Sequence, residues 1–360
     1  MIKIGKATCE AGAQQQAQAQ APVLDTRLKM LSHSSCSLLH SCPRKYQLVK
    51  LMSPERESSI HLAFGSAFGE GIQQLLCGAS LQDAVISAVM QWDMSIYEDS
   101  TPDKTLWRCI AALETFWYTL QDPHAQLQAS MGLGVETEDG IDMEGLVPNI
   151  LFDYEVAMFE GKPAVELGFA IELPDGYVYR GYVDVVLVHK VTRVPLVVDI
   201  KSTAAKSTNS AKFQNSPQAL GYSIVVDAVI GTDYQEFGVL YYEYMTGIRK
   251  YISHYFILGI FSRAKWLHNL MMDVKLMQLY GNNSEFPMHG ESCVSFNRVC
   301  SFLNTCAIST ESLLGEGWKP DTRPWQELEA QTKHRPLHIV IGIQELIKNQ
   351  LARIGTQEIG

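Results

Sequence analysis

The chain has 360 residues, 46% of them hydrophobic, enough to bury one large core or two smaller ones. A net charge of −10 argues against a protein that coats nucleic acid through bulk charge, while leaving room for an enzyme with a local basic groove. No uncharged apolar run is long enough to span a bilayer and no secretory signal core is visible, so the expected setting is the cytoplasm, without membrane contact.

Residues 1–26 hold a Gln/Ala tract without hydrophobic periodicity and read as a flexible tail. Organised chain is expected from about Leu31. The Ser-rich start of LSHSSCSLLHSCPRKYQLVKL suits a helix N-cap, and Pro43 is placed to break or restart the helix. His61 to Leu76 reads as a helix with small residues on one side. Two more helices are expected, at Leu81 to Ile96 and Thr105 to Gln121, within a helical insertion at about 78–131. Their aromatics, Trp107, Phe116, Trp117 and Tyr118, read as core and not as a base-stacking platform. Residues 132–147 are Gly- and acid-rich and read as a connection. A strand is expected at Ile150 to Phe159.

The chemically loaded stretch is Gly181 to Thr203. It contains two apolar runs separated by a basic, turn-like segment, the pattern of an antiparallel strand pair. Asp184 interrupts the first run. Asp199 ends the second and is followed two residues later by Lys201, on the same strand face. Two carboxylates and a lysine converging at one end of a hairpin suggest a divalent-cation site, because a buried carboxylate is costly unless paired or metal-bound. The plainer reading is a surface ion pair. Context favours the site: Glu166 lies in a strand-like run at Pro163 to Leu173, and Gln218 and Tyr222 lie four apart on a helix expected at Ser216 to Gly231. A hairpin follows at 236–258 and a helix from about Gly259 to Tyr280, where the sheet is expected to end. The tail from Thr310 carries an amphipathic helix, HIVIGIQELIKNQLARI, able to pack on the core or bind a protein partner.

The order of strand with Glu, strand with Asp, strand with Asp-x-Lys and helix with Gln-x-x-x-Tyr resembles the RecB-like nucleases of the PD-(D/E)XK superfamily, including phage and CRISPR-adaptation exonucleases. The matching pieces are GYVD, VVDIKST and QALGY. The resemblance implies a restriction-endonuclease-like core, a central mixed sheet flanked by helices, spanning residues 27–309 with 310–360 as an extension. It implies a DNA substrate and Mg²⁺ or Mn²⁺ held by Asp184, Asp199 and the Ile200 carbonyl, with Lys201 as catalytic lysine. Gln218 and Tyr222 would support the site, and Glu166 is a weaker candidate. Arg180, Lys206 and Lys212 are placed to touch the DNA backbone. Relatives often carry a histidine four residues after a glycine; counted from Gly65, that position is Gly69, so either Glu70 or water serves there or metal affinity and activity are altered. A non-catalytic DNA-binding or assembly subunit is the alternative that this departure supports.

Of the eight cysteines, Cys293, Cys300 and Cys306 fall close together. A disulfide framework is not expected without export. The spacing suits a loop around a cluster better than a zinc ribbon, with unrelated buried thiols equally open on the residues alone. The resemblance adds Cys42, in SCPRKY, as fourth ligand of a [4Fe–4S] cluster that closes the chain through residues 293–306. Cys9, Cys36, Cys77 and Cys109 have no such context.

Overall fold

The computed structural model describes residues 26–52, 59–96, 103–121, 150–231, 236–282, 285–295, 298–315 and 338–357. The Gln/Ala tail and the 132–147 connection lie outside them. One eight-stranded mixed sheet divides the molecule. Its strands are β1 (Met30–Ser32), β2 (Tyr154–Val156), β3 (Val165–Glu172), β4 (Val178–His189), β5 (Pro195–Thr203), β6 (Glu236–Met245), β7 (Lys250–Gly259) and β8 (His338–Gly342). The main path runs β8-β3-β4-β5-β6-β7; β1 and β2 also pair with β4. The β5–β6 and β8–β3 pairs are parallel, and β3–β4, β4–β5 and β6–β7 are antiparallel.

Strand alternation assigns the two faces. Val197, Val239 and Tyr241 pack into a core shared with α1 (His33–Ser41), α2 (Pro43–Leu51), α6 (Pro217–Ile230), α7 (Ile260–Asn282) and α8 (Ile343–Gln357). Val198, Ile200, Leu240 and Tyr242 pack on the opposite face with α3 (Ile60–Leu76), α4 (Leu81–Gln91) and α5 (Leu106–Gln121). Each side chain fully buried in these layers contributes roughly 1.5–3 kcal/mol. Phe116 is among them, while Trp107 and Tyr118 are exposed.

Local chemistry sets the ends of the helices. Ser32 and Ser35 form a capping box at the start of α1. Cys42, in extended conformation, closes α1 and opens α2, whose first residue is Pro43. Gly231 ends α6 in the left-handed conformation, φ 68°.

Two sequence expectations are corrected. The strand expected over Ile150 to Phe159 is broken into a 3-10 turn, β2 and a separate small hairpin pairing Met158–Phe159 with Lys162–Pro163, whose turn Glu160 and Gly161 make with positive φ. The sheet also does not end with β7. HIVIG forms β8 beside β3, and only the remainder of that segment is helical. Its β-branched residues alternate, Ile341 buried and Val340 exposed, a strand period inside what reads as a helix. Leu346 of α8 is fully buried, so the apolar face of that helix is spent on the core. Among the described residues, no helix is long and apolar enough to cross a membrane.

Candidate active site

The sheet opens at one point. Strands β4 and β5 pair from Val188↔Pro195 to Val185↔Val198 and then separate. Beyond that last rung β4 pairs with β1, Ser32 opposite Arg180. Asp184 and Asp199 are the first residues past the last rung, so the two carboxylates stand where the strands part.

Asp199 is completely buried. Lys201 Nζ lies 2.7 Å from its Oδ2 as an ion pair outside hydrogen-bond alignment, and Oδ1 has no hydrogen-bond partner. Asp184 Oδ2 accepts the Ile200 N–H at 2.8 Å. Burial first, and then the neighbouring Asp199, push the Asp184 carboxyl up to about 8. Lys201 also sits 3.3 Å from Gln218 Oε1, and Gln218 donates to the Tyr222 hydroxyl at 2.5 Å. Burial would lower the Lys201 pKa, but Asp199 and Asp184 outweigh it and keep the ammonium charged. The Gln-x-x-x-Tyr helix therefore positions the lysine.

Glu166 joins this group more closely than its sequence context suggests. It interrupts the β3–β4 ladder without shifting its register: Val165 pairs with Val185 and Leu167 with Val183, while Glu166 between them, opposite Asp184, takes φ 49°. A left-handed backbone at a non-glycine residue costs on the order of 1–3 kcal/mol and clusters at functional positions. Its carboxylate acts on Asp184, and its Oε1 accepts from Gln73 Nε2 at 2.8 Å.

Gln73 and His33 escape a sequence reading. Buried Gln73 sits one helical turn after Gly69, on the same face of α3. Glu70, the other residue considered for the missing histidine's place, accepts from Gln74 within the helix at 2.9 Å. His33, the first residue of α1, lies within electrostatic reach of Lys201 and Asp199; burial, then Lys201, lower its pKa. The visible signal was only its place after the Ser32 cap. Of the three basic residues singled out, Lys212 is committed to Glu243 at 2.6 Å, and half-buried Arg180 lies in β4.

The cysteine segment docks on the α1–α2 junction. Arg44 Nε donates to the Cys306 carbonyl at 2.9 Å and its Nη2 to the Ile308 carbonyl at 2.5 Å. Ser292 Oγ donates to the Ser41 carbonyl at 2.6 Å. Burial raises the Cys306 thiol, and Cys293, Cys300 and Cys42 raise it further. Cys36 and Cys109 are buried elsewhere and Cys77 is exposed. Among the described residues, no three His, Cys, Asp or Glu side chains stand ready-made to hold a metal ion, at the fork or at the cysteines.

A family model, the PD-(D/E)XK nuclease superfamily, matches residues 30–307, well over half of the chain. The chain belongs to the PD-(D/E)XK nuclease superfamily. The matched span starts at β1 and runs through the fork to Cys306, and the mixed sheet flanked by helices is the restriction-endonuclease-like fold of that superfamily. No curated protein matches the chain.

Proposed function

We propose that the protein is a divalent-metal-dependent deoxyribonuclease, an exonuclease that processes DNA ends during recombination, replication or repair. The observation that carries this reading is the fork: a buried aspartate with an unpartnered oxygen, beside a second buried aspartate and a charged lysine. An unpaired buried carboxylate is tolerated where a cation completes it. Magnesium and manganese take oxygen ligands, so the donor set fits them. Asp184, Asp199 and the Ile200 carbonyl would hold the ion, with Glu166 at its edge. When bound, such an ion supplies a water of lowered pKa and positive charge against the phosphate.

The chain's own side chains do the rest. Lys201 presents its ammonium to the phosphoryl oxygens and orients the attacking water. Gln218, itself held by Tyr222, fixes where that ammonium sits. Gln73 holds the Glu166 carboxylate in place. The deciding experiment incubates single-stranded, linear duplex and circular duplex DNA with Mn²⁺ or Mg²⁺. Metal-dependent loss of the two linear substrates with the circle spared is expected. No hydrolysis by the intact protein would overturn the reading, and cutting of the circle would replace exonuclease by endonuclease. DNA binding without cleavage would select the non-catalytic subunit, which Gly69 favours.

We further infer a [4Fe–4S] cluster on Cys42, Cys293, Cys300 and Cys306, supported by the joint effect of the other three thiols on Cys306. Protein purified anaerobically is expected to be brown with about four irons per chain. Cys42→Ser should remove the iron, and Cys77→Ser and Cys109→Ser should not. A colourless or zinc-loaded protein would end this assignment without touching the fork.

A further inference from the structure

At the end of the sheet just past the fork, Thr203 stands in register with Met245, and the Thr246 N–H donates to the Thr203 carbonyl at 2.8 Å. Three segments bring cations to this end. Arg108 of α5 places Nη1 3.0 Å from Asp103 Oδ1 and 3.5 Å from the Thr246 carbonyl, joining the helix to the β6–β7 turn. Gly247 in that turn approaches the chain after β5 so closely that an added Cβ would lie 3.1 Å from the Ala204 carbonyl oxygen and 3.8 Å from Lys206 Cγ. Arg249 follows at φ 58° and is exposed.

Lys104 is the unusual member. It is 4% exposed, and its Nζ lies 5.5 Å from the centroid of the Phe64 ring. Phe64 stacks on Tyr244, whose hydroxyl senses both Arg249 and Arg108, so the three cations share one neighbourhood. Among the described residues, neither Lys104, Lys206 nor Arg249 makes a side-chain hydrogen bond or ion pair with another side chain. Arg108 engages Asp103, the acid next to Lys104 in the chain. Thr105 Oγ1 accepts the Arg108 N–H at 3.2 Å to cap α5, whose first turn carries no acid, so the helix N-terminus adds to the positive field. A nearly buried ammonium with no counter-ion is unfavourable unless an anion arrives.

We propose that Lys104, Lys206 and Arg249 form a phosphate-binding shelf for the DNA backbone beside the scissile position, with Arg108 setting the turn against α5. The proposal rests on the nuclease reading above and adds the course of the strand. Thr203 lies two residues past Lys201, about 7 Å along β5. That is about the axial rise of two base pairs of a duplex. The strand thus runs over the α5 end of the sheet and not over Lys212, whose charge Glu243 already takes.

The test measures binding of a fluorescent single-stranded oligonucleotide to the full chain in chelator, where cleavage is suppressed, as a function of salt. Each lost phosphate contact should lower the slope of log K against log salt by about 0.7 on a single strand. Lys104→Met with Arg249→Asn should therefore lower it by about 1.4 and weaken low-salt binding about tenfold or more. Lys104→Arg should behave as the unaltered protein, and so should Lys265→Met on the far face. Should the double variant melt at lower temperature, Arg249→Asn alone decides with half the slope change, since asparagine accepts a left-handed backbone. Unchanged slope and affinity in a folded variant would overturn the shelf while the nuclease reading stands. An unaltered protein that neither binds nor cleaves DNA would sink both.

Discussion

Two buried carboxylates on neighbouring strands, Asp199 on β5 and Glu243 on β6, face the same layer and have opposite surroundings. Glu243 stands in register with Lys201. Burial alone would raise its pKa, but donors from His254, Lys212 at 2.6 Å and Thr208 at 2.5 Å hold it down to about 2. Asp199 has one misaligned lysine and an oxygen with nothing to accept, and its neighbour Asp184 is pushed the other way, to about 8. A third buried acid, Asp227, is clasped by Arg263 and Arg353 and ties α6 to α7 and α8. Acids that serve the fold are saturated with donors. The pair at the fork is left short of them, and that shortage is what supports the proposed site.

The largest effect expected from this contrast is on chemistry. Asp199→Ala should lower metal-dependent cleavage at least about 10³-fold, a few kcal/mol of lost charge stabilisation. The melting temperature of the metal-free protein should hold or rise, because an unpartnered buried oxygen is removed. Lys201→Ala should cost about 10²–10³-fold. Unaltered rates in both variants would remove the fork from the mechanism.

Glu243→Gln should do the reverse, preserving metal-dependent cleavage and lowering stability by roughly 2–3 kcal/mol as charged hydrogen bonds are lost. The pH dependence carries opposite signs for the two acids. Glu243 has a depressed folded pKa, so its stabilisation is complete above the unfolded value near 4.5 and is lost as pH falls toward 2. Asp184 has a raised folded pKa, so its favourable contribution is complete below about 3.8 and is lost as pH rises toward 8. Denaturant melts of the metal-free protein should therefore show Glu243→Gln flattening the acid limb and Asp184→Asn flattening the limb up to pH 8. Both variants changing the same limb would refute the contrast.

Much of this was legible in the chain. The hairpin around Asp184 and Asp199 announced itself through two apolar runs and a basic turn, because strand burial writes directly into hydrophobic pattern. The same-face step from Asp199 to Lys201 and the four-residue spacing of Gln218 and Tyr222 on one helix were also legible, whereas the approach of Gln218 to Lys201 is a contact that only the fold supplies. What stayed hidden depends on contacts distant in sequence. The role of Gln73 requires α3 to cross over Glu166, and the presence of His33 requires β1 to take the place of β5 beside β4. Glu243 looked like any strand acid, since its three donors come from the segment after β5 and from β7. The strand β8 was concealed by the helix that continues it without a break.

The smallest effect expected concerns Gly69, and it sharpens the contrast from the side of α3. An added Cβ there meets nothing within 4 Å, so a side chain can be built without displacing the core. Replacing a glycine in a helix interior should itself stabilise by roughly 0.5–1 kcal/mol. Gly69 shares its helix face with Gln73, which already reaches Glu166, so an imidazole at 69 would extend toward the same carboxylates. Manganese accepts imidazole nitrogen more readily than magnesium does. Gly69→His should therefore tighten Mn²⁺ binding by roughly tenfold and leave Mg²⁺ nearly unchanged, as read by calorimetric titration of the two ions. Because His33 already stands near Asp199 and Lys201, the gain should be larger in a His33→Asn background. A variant with the expected gain in stability but the original Mn²⁺ affinity in both backgrounds would mean that this face of α3 supports Glu166 and does not face the metal.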